Sequence, residues 1–441
     1  MQDKFIPSGL SQSHCADQKI DLRQVIEFAP ATLGLTKGNS VPDILHAVRE
    51  HLKMEVAFVS EFTNGRRIFR YVDSVWSESP VQVDQGGPLE DSYCQRIVDG
   101  RLPELINDAK AVPQAAEIEA TFVLPVGAQM GVPIKLSDGS VYGTFCCFSR
   151  HADFSLNQRD LNLMRVFADV AGKLIDRERI AHQNLHEMNQ RIHQVIFGDA
   201  LHIVYQPIYD LSCATIVGFE ALSRFSAPPT RAPNLWFSEA HTIGLGVELE
   251  LKAIGMALQT KQRINAGLDL AVNASPETIL HPKFEKLLSD LNGFRNLVLE
   301  ITEHAAVEKY EEIASRLKPY RDDGLHIAVD DAGAGYASFR HILNLQPDRI
   351  KLDMSLTRNI DTDPAKRALA AALIHFCAET GSMLVAEGVE TAGEVATLIE
   401  LGVKKAQGYF LGKPMSLRDL QVNGWLEDDA HSSPESRTAL T

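Results

Sequence analysis

From Ile203 to Leu411 the chain repeats one unit, a short apolar run, a loop and a helical stretch, and this alternation limits the possible folds more than any other feature. The runs are Ile203 to Leu211, Thr215 to Leu222, Leu268 to Ala274, Asn296 to Thr302, His326 to Val329, Arg349 to Leu352, Met383 to Ala386 and Ala406 to Leu411. Between them, Val307 to Arg321 sets Val307, Tyr310, Ile313, Ala314 and Leu317 on one helical face. Pro364 to Thr380 opens on a proline, which suits a first turn because the N–H it lacks is unneeded there. Strands that alternate with helices pair in parallel, so eight of them over about 220 residues predict a (β/α)8, TIM-like barrel in an α/β domain. The first two runs stand too close together to enclose a helix, so one strand is expected to run antiparallel.

In such a barrel the reactive groups stand at the carboxyl ends of the strands, and here apolar runs end repeatedly on polar residues. Val217-Gly218-Phe219 leads to Glu220, Leu270-Ala271-Val272 to Asn273, Leu297-Val298-Leu299 to Glu300, and Ile327-Ala328-Val329 to Asp330 and Asp331. Ile350 is followed by Lys351 and Asp353, Leu384-Val385-Ala386 by Glu387, and Lys405-Ala406 by Gln407. Any one of these reads equally well as a strand-end group satisfied by a loop; every strand from the second to the eighth doing so points to one shared mouth. Carboxylates crowded in an apolar mouth repel one another and take up protons unless a cation neutralises them. All-oxygen donors, carboxylates and an amide without Cys or His, select a hard ion such as Mg²⁺ or Mn²⁺ over zinc. More carboxylates than one Mg²⁺ takes point to two ions, the arrangement suited to phosphoester hydrolysis. Lys351 and Arg224 then offer positive charge to phosphate oxygens.

The residues also carry a resemblance. Glu220-Ala221-Leu222, after Tyr205-Gln206-Pro207-Ile208, is joined by Asn273-Ala274-Ser275, Leu299-Glu300-Ile301-Thr302-Glu303 and Asp330-Asp331-Ala332-Gly333-Ala334-Gly335-Tyr336. Lys351-Leu352-Asp353, Glu387-Gly388-Val389-Glu390 and Gln407-Gly408-Tyr409 complete the set. Over residues 200–422 the chain thus resembles the EAL-domain phosphodiesterases, which cleave cyclic di-GMP to linear 5′-pGpG. The resemblance implies that Glu220, Asn273, Glu300 and Asp330 hold a first metal, with Asp330 bridging to a second near Asp331 and Glu387. It makes Lys351 the holder of the nucleophilic water, Glu387 the general base, and Gln206, Leu222, Arg224, Asp353 and Gln407 the substrate contacts. Glu303 would anchor the loop that begins at Asp330. The chain departs from the family at Ala332, where Phe is usual, at Ala337, where Ser is common, and at Phe225, where Trp is common; none of these is an implied metal ligand.

Upstream, after an N-terminal extension over residues 1–40, Val41, Ile44, Leu45, Val48 and Leu52 recur at helical spacing. Strand-like runs follow at Glu55 to Phe62, Arg67 to Val75, Ala128 to Leu136 and Val141 to Ser149, with a helical Ser92 to Asp99 between them. Asp138-Gly139 is a two-residue hairpin signal. The module reads as an α+β arrangement of an antiparallel sheet and flanking helices. Ser92-Tyr93-Cys94, Ile97-Val98, Gly131-Val132-Pro133-Ile134 and Tyr142-Gly143-Thr144 resemble a GAF sensory domain over residues 41–175. In that family the pocket holds a cyclic nucleotide, a tetrapyrrole, a metabolite or nothing, so the ligand stays open. Cys94 is followed by Gln95 rather than the His usual at a bilin anchor, and it reads also as a core cysteine.

Residues 155–198 form an expected helical linker, overlapping the end of the GAF-like module. Leu174, Glu178, Ala181, Leu185, Met188, Ile192 and Val195 keep alternating steps of four and three, the spacing of a coiled-coil seam or of one helix packed on a neighbouring domain. The first alternative implies a homodimer. His182 and His186, four apart, read as a metal pair or as solvated histidines. Residues 426–441, rich in Asp, Ser and Glu, read as a disordered tail.

Composition narrows the partners. Lys+Arg 43 against Asp+Glu 58 leaves −15, the wrong sign for a binder of duplex nucleic acid. Six cysteines without a C-x-x-C pair, no long apolar window and no signal-peptide pattern lead us to expect a cytoplasmic protein not inserted in a membrane. No Gly-Gly-Asp/Glu-Glu-Phe run is present, so synthesis of the dinucleotide is not expected. The expectation is a metal-dependent cyclic di-GMP phosphodiesterase under a GAF sensor. The alternatives are a non-catalytic cyclic di-GMP receptor that signals through a protein partner, and the same barrel acting on another substrate.

Overall fold

The computed structural model describes residues 40–289, 291, 293–301, 309–332 and 336–426, of which 331 and 336–339 are described by backbone alone. Two compact units, Met1–Gln183 and Asn184–Thr441, make up the chain.

The first unit opens with α1 (Val41–Leu52), where the Ser40 hydroxyl caps the Asp43 N–H and Pro42 occupies the first turn. Its strands are β1 (Val56–Thr63), β2 (Arg66–Ser74), β3 (Gly86–Pro88), β4 (Leu105–Ile106), β5 (Ala128–Lys135) and β6 (Val141–Ser149). They form one antiparallel sheet in the order β3-β2-β1-β6-β5-β4. Successive strand residues point to opposite faces, and both faces are covered. Val56 and Phe58 pack with Tyr93, Cys94 and Ile97 of α2 (Tyr93–Val98), while Ala57 and Val59 pack with α1 and the start of α3 (Gln158–Phe197). Gly139, at φ +82°, turns the hairpin between β5 and β6, whose loop of Ser137, Asp138 and Gly139 is one residue longer than the expected two, closed by Leu136 N–H on the Ser140 carbonyl at 2.9 Å. Cys94 is a core residue whose sulfur accepts the Ser60 hydroxyl at 3.6 Å.

Of the expected seam along α3, Ile192 and Val195 are buried, Leu174 and Met188 half-buried, and Glu178, Ala181 and Leu185 exposed. His182 and His186 are exposed as well. The division between the two units falls within this helix.

The second unit is a closed barrel of β7 (Leu201–Asp210), β8 (Thr215–Phe225), β9 (Asp269–Ala274), β10 (Leu297–Ile301), β11 (His326–Ala332), β12 (Arg349–Leu352), β13 (Met383–Ala386) and β14 (Lys405–Ala406). As expected, β7 is antiparallel to its neighbours β8 and β14, and the remaining pairs are parallel. Its helices include α4 (Pro233–Thr242), α5 (Gly246–Lys261), α6 (Tyr310–Asp322), α7 (Pro364–Thr380) and α8 (Ala392–Leu401). One run is corrected. Ala406 to Leu411 was expected to be a strand, but pairing stops at Ala406 and Phe410 N–H bonds back to the Val389 carbonyl at 3.1 Å. The cause is close packing at Gly408, where a Cβ would stand 2.2 Å from Val389 backbone.

Inward-facing positions stack in layers along the barrel axis. At the amino end, Asp269 receives the guanidinium of Arg349 at 2.5 Å and the ammonium of Lys405 at 3.4 Å. Above them Ala271, Val298 and Ala328 form a small apolar cluster. Two residues further along the same strands come Asn273, Glu300 and Asp330. Leu426 is buried and bridges Ile264, while residues 427–441, where most of the expected tail falls, lie outside the described residues. No helix among the described residues is long and apolar enough to cross a membrane.

Candidate active site

Parallel register sets the site. Glu300 on β10 stands beside Asn273 on β9, and Lys351 on β12 is level with Val385 on β13, two residues before Glu387. With a two-residue side-chain period these groups all enter the barrel mouth. Lys351 is 3% exposed and is their centre. Its ammonium lies 2.7 Å from Glu300, 2.7 Å from Glu387, 3.3 Å from Asp330 and 3.4 Å from Glu220. Amides complete the network: Asn273 Nδ2 donates to Glu220 Oε1 at 3.1 Å. Gln407 Nε2 donates to Glu220 Oε2 at 2.6 Å and to Glu387 Oε1 at 2.8 Å. Gln206, opposite Glu220 in the β7–β8 ladder, is buried and donates to the Gly412 carbonyl at 3.4 Å.

The charges do not balance. Burial works against the Lys351 ammonium, but Asp330, Glu220, Glu300 and Glu387 together hold it well above its usual range. Burial also works against an ionised Glu220, yet Lys351 and the Gln407 and Asn273 amides bring it below the ordinary carboxylate range. Glu300 and Glu387 go the other way. Burial and the surrounding carboxylates raise both well above it despite Lys351. One ammonium faces four carboxylates, Glu220 and Glu300 buried and Asp330 and Glu387 half-buried, so the four can ionise together only if a further cation joins Lys351.

The donor chemistry fits such a cation. Every candidate is an oxygen, the set for a hard divalent ion, and Gln407 Oε1 is buried without a hydrogen-bond partner. Among the described residues no group of three His, Cys, Asp or Glu side chains is spaced to hold an ion as it stands. The carboxylates turn to Lys351 instead.

Seven predicted residues therefore meet: Glu220, Asn273, Glu300, Asp330, Lys351, Glu387 and Gln407, with Gln206 alongside. Leu222 and Arg224 follow Glu220 on the same face of β8, but Arg224 donates to the Ser223 carbonyl at 2.8 Å, and no hydrogen bond or ion pair ties either to the cluster. Asp353 caps a short helix, Met354–Thr357, by accepting the Ser355 N–H at 2.9 Å. Asp331 belongs to β11 by its backbone, and Glu303 lies outside the described residues.

Two supports escaped the sequence reading. Glu394, 3% exposed at the start of α8, accepts the N–H groups of Glu390 at 2.7 Å, Thr391 at 3.1 Å and Asn359 at 2.9 Å, and so holds the loop after Glu387. Thr391-x-x-Glu394 is a capping box, so a signal was present. Gly388 adopts φ +65°, and a Cβ there would fall 2.5 Å from Met354 Cβ; the turn out of Glu387 requires glycine.

Comparison with known proteins agrees with this geometry. A family model of the EAL domain matches residues 189–414, and one of the GAF domain matches residues 41–176. A cyclic di-GMP phosphodiesterase of Pseudomonas aeruginosa is 32% identical over 247 residues, 52% of this chain and 40% of its own length. PdeG of Escherichia coli, a probable cyclic di-GMP phosphodiesterase, is 29% identical over 227 residues, 49% of this chain and 45% of its own. An uncharacterized protein of Mycobacterium tuberculosis is 30% identical over 233 residues, 50% and 37% respectively. The chain thus spans less than half the length of these curated relatives. The solved structure of the EAL enzyme Bd1971 with cAMP and cyclic di-GMP bound has a TM-score of 0.50 at 20% identity, covering 84% of this chain and 92% of that one, a likeness of fold. Since the EAL match takes in more than half of the chain, the protein belongs to the EAL-domain family and carries a GAF domain ahead of its barrel.

Proposed function

We propose that the chain is a divalent-metal-dependent phosphodiesterase that opens cyclic di-GMP to linear 5′-pGpG in the cytoplasm, as a homodimer regulated by its GAF domain. The observation that carries the reading is Lys351 among Glu220, Glu300, Asp330 and Glu387 at the carboxyl end of an EAL-family barrel. Relatives named cyclic di-GMP phosphodiesterases, and the unpaired state of every cysteine among the described residues, support the substrate and the reducing compartment.

Glu220, Asn273, Glu300, Asp330, Asp331 and Glu387 are the residues that would hold Mg²⁺ or Mn²⁺, two ions in all. When bound, such ions polarise the phosphodiester and stabilise charge on the departing oxygen. The chain's own residues do the rest. Lys351, pinned by Glu300 and Glu387, presents its ammonium to the attacking water and a phosphate oxygen. Glu387 in its ionised form, which a bound cation would favour over the protonated carboxyl that burial and its carboxylate neighbours otherwise favour, is assigned to accept the proton of that water as the P–O3′ bond breaks. Gln206, Leu222, Arg224, Asp353 and Gln407 are assigned to the dinucleotide. Glu303 is assigned to the loop after Asp330.

The test is purified protein with cyclic di-GMP and Mg²⁺ or Mn²⁺, products resolved by chromatography, with Glu387→Ala alongside. Linear dinucleotide is expected from the wild type with metal and not from the variant, whose circular dichroism stays unchanged. Saturable binding without turnover would replace this reading with the receptor.

A further inference from the structure

The chemistry sits on the inner face of β8; what holds its outer face is unusual in its source. Glu220, Leu222 and Arg224 point inward, so Phe219 and Phe225 point outward. Phe219 packs on Trp425, centroids 5.4 Å apart, within the main barrel core. Phe225, at the end of the same strand, stacks on Trp236 of α4, centroids 5.2 Å apart and 19° from parallel. Trp236 is wholly buried in a separate cluster with Leu201 and Leu249, and with Ile192 and Val195 from the end of α3. The outer support of the strand that carries Glu220 is therefore built partly from the helix that enters the barrel unit.

That helix end is fastened by charges. Arg191 reaches Glu239 of α4 at 3.2 Å, and Arg231 clamps the same carboxylate at 2.5 and 2.6 Å. The Arg231 guanidinium lies 4.0 Å over the Trp236 ring. Lys252 of α5 donates to the carbonyls of Val195 at 2.9 Å and Gly198 at 2.5 Å, capping the final turn of α3. The Trp236 indole N–H is buried without a hydrogen-bond partner, so no hydrogen bond fixes the ring and it follows the side chains packed on it and the Arg231 guanidinium.

We propose that the carboxyl-terminal end of α3, acting through Trp236 and Phe225, positions Glu220 for catalysis. The inference rests on the phosphodiesterase reading for its kinetic arm. Trp236 and Phe225 are positioning residues, since neither touches the reacting atoms. A displacement of α3 moves the Ile192–Val195 face, Trp236 must repack, and Phe225 carries the shift along a strand paired with β7 and β9. Interiors packed at crystal density transmit such shifts rather than absorb them.

The experiment uses the full chain. Arg191→Ala removes a half-exposed contact that a fold of this size tolerates, and Gln194→Ala, exposed on the same turn, is the control. Arg191→Ala should lower kcat for cyclic di-GMP about tenfold with KM and the unfolding midpoint unchanged, since small misplacement of a catalytic group acts on the transition state. Gln194→Ala should keep the wild-type kcat. The second arm reads Trp236 emission in a Trp76→Phe, Trp425→Phe background. Reciprocity requires that Mg²⁺ and Mn²⁺, each added to chelator-treated protein, shift this emission, and that Phe225→Leu abolish the shift. Wild-type kcat in Arg191→Ala, or Trp236 emission blind to both additions, overturns the proposal. If no form of the protein turns over substrate, the phosphodiesterase reading fails alone and the emission arm still decides the coupling.

Discussion

Lys351 sets one ammonium among four carboxylates, and that ratio governs how the site behaves before any ion arrives. The ammonium is an internal counter-charge, itself buried and bonded closely to Glu300 and Glu387. Lys351→Met should therefore cost about 3–5 kcal/mol in urea unfolding, the usual penalty for leaving buried charges uncompensated, besides ending hydrolysis. A surface lysine would show neither loss. Glu220 was legible because it interrupts an apolar run, with Phe219 before it and Ala221 and Leu222 after it. Which partner each carboxylate would choose was not legible, since it depends on long side chains meeting across the barrel from strands far apart in sequence.

Strands and helices were read nearly to their ends wherever the period was clean. Val141–Ser149, Arg349–Leu352, Met383–Ala386 and Pro364–Thr380 coincide with the expected spans. The last strand failed because Tyr409, Phe410 and Leu411 look like a buried run, while what turns the chain, Gly408 against Val389, is a tertiary contact. The outer support of β8 was hidden for the same reason, as nothing in local spacing brings Trp236 to Phe225. Glu394 illustrates an element end doing two jobs, capping α8 and holding the loop behind Glu387. Thr391→Ala should lower unfolding free energy by about 1 kcal/mol by removing the cap, measured by urea titration. The alternative, an unchanged midpoint, would mean that Glu394 alone secures the helix start.

For the whole molecule, Glu178, Ala181 and Leu185 leave the middle of the expected seam exposed along α3. A partner helix would cover them, and light scattering should give a mass near twice 48.7 kDa; a monomer at every concentration would remove the coiled coil. Because Lys351 already offsets part of the charge, chelation should leave the barrel folded. Saturating Mg²⁺ at about 100 times its dissociation constant should then add about 2.7 kcal/mol and raise the midpoint, as any ligand of the native state does. At the far end of the barrel, Asp269, Arg349 and Lys405 lock together beneath the plug of Ala271, Val298 and Ala328. The barrel is thus a cul-de-sac: whatever enters leaves by the same door, so under the proposed phosphodiesterase reading a product must depart before the next substrate can take its place.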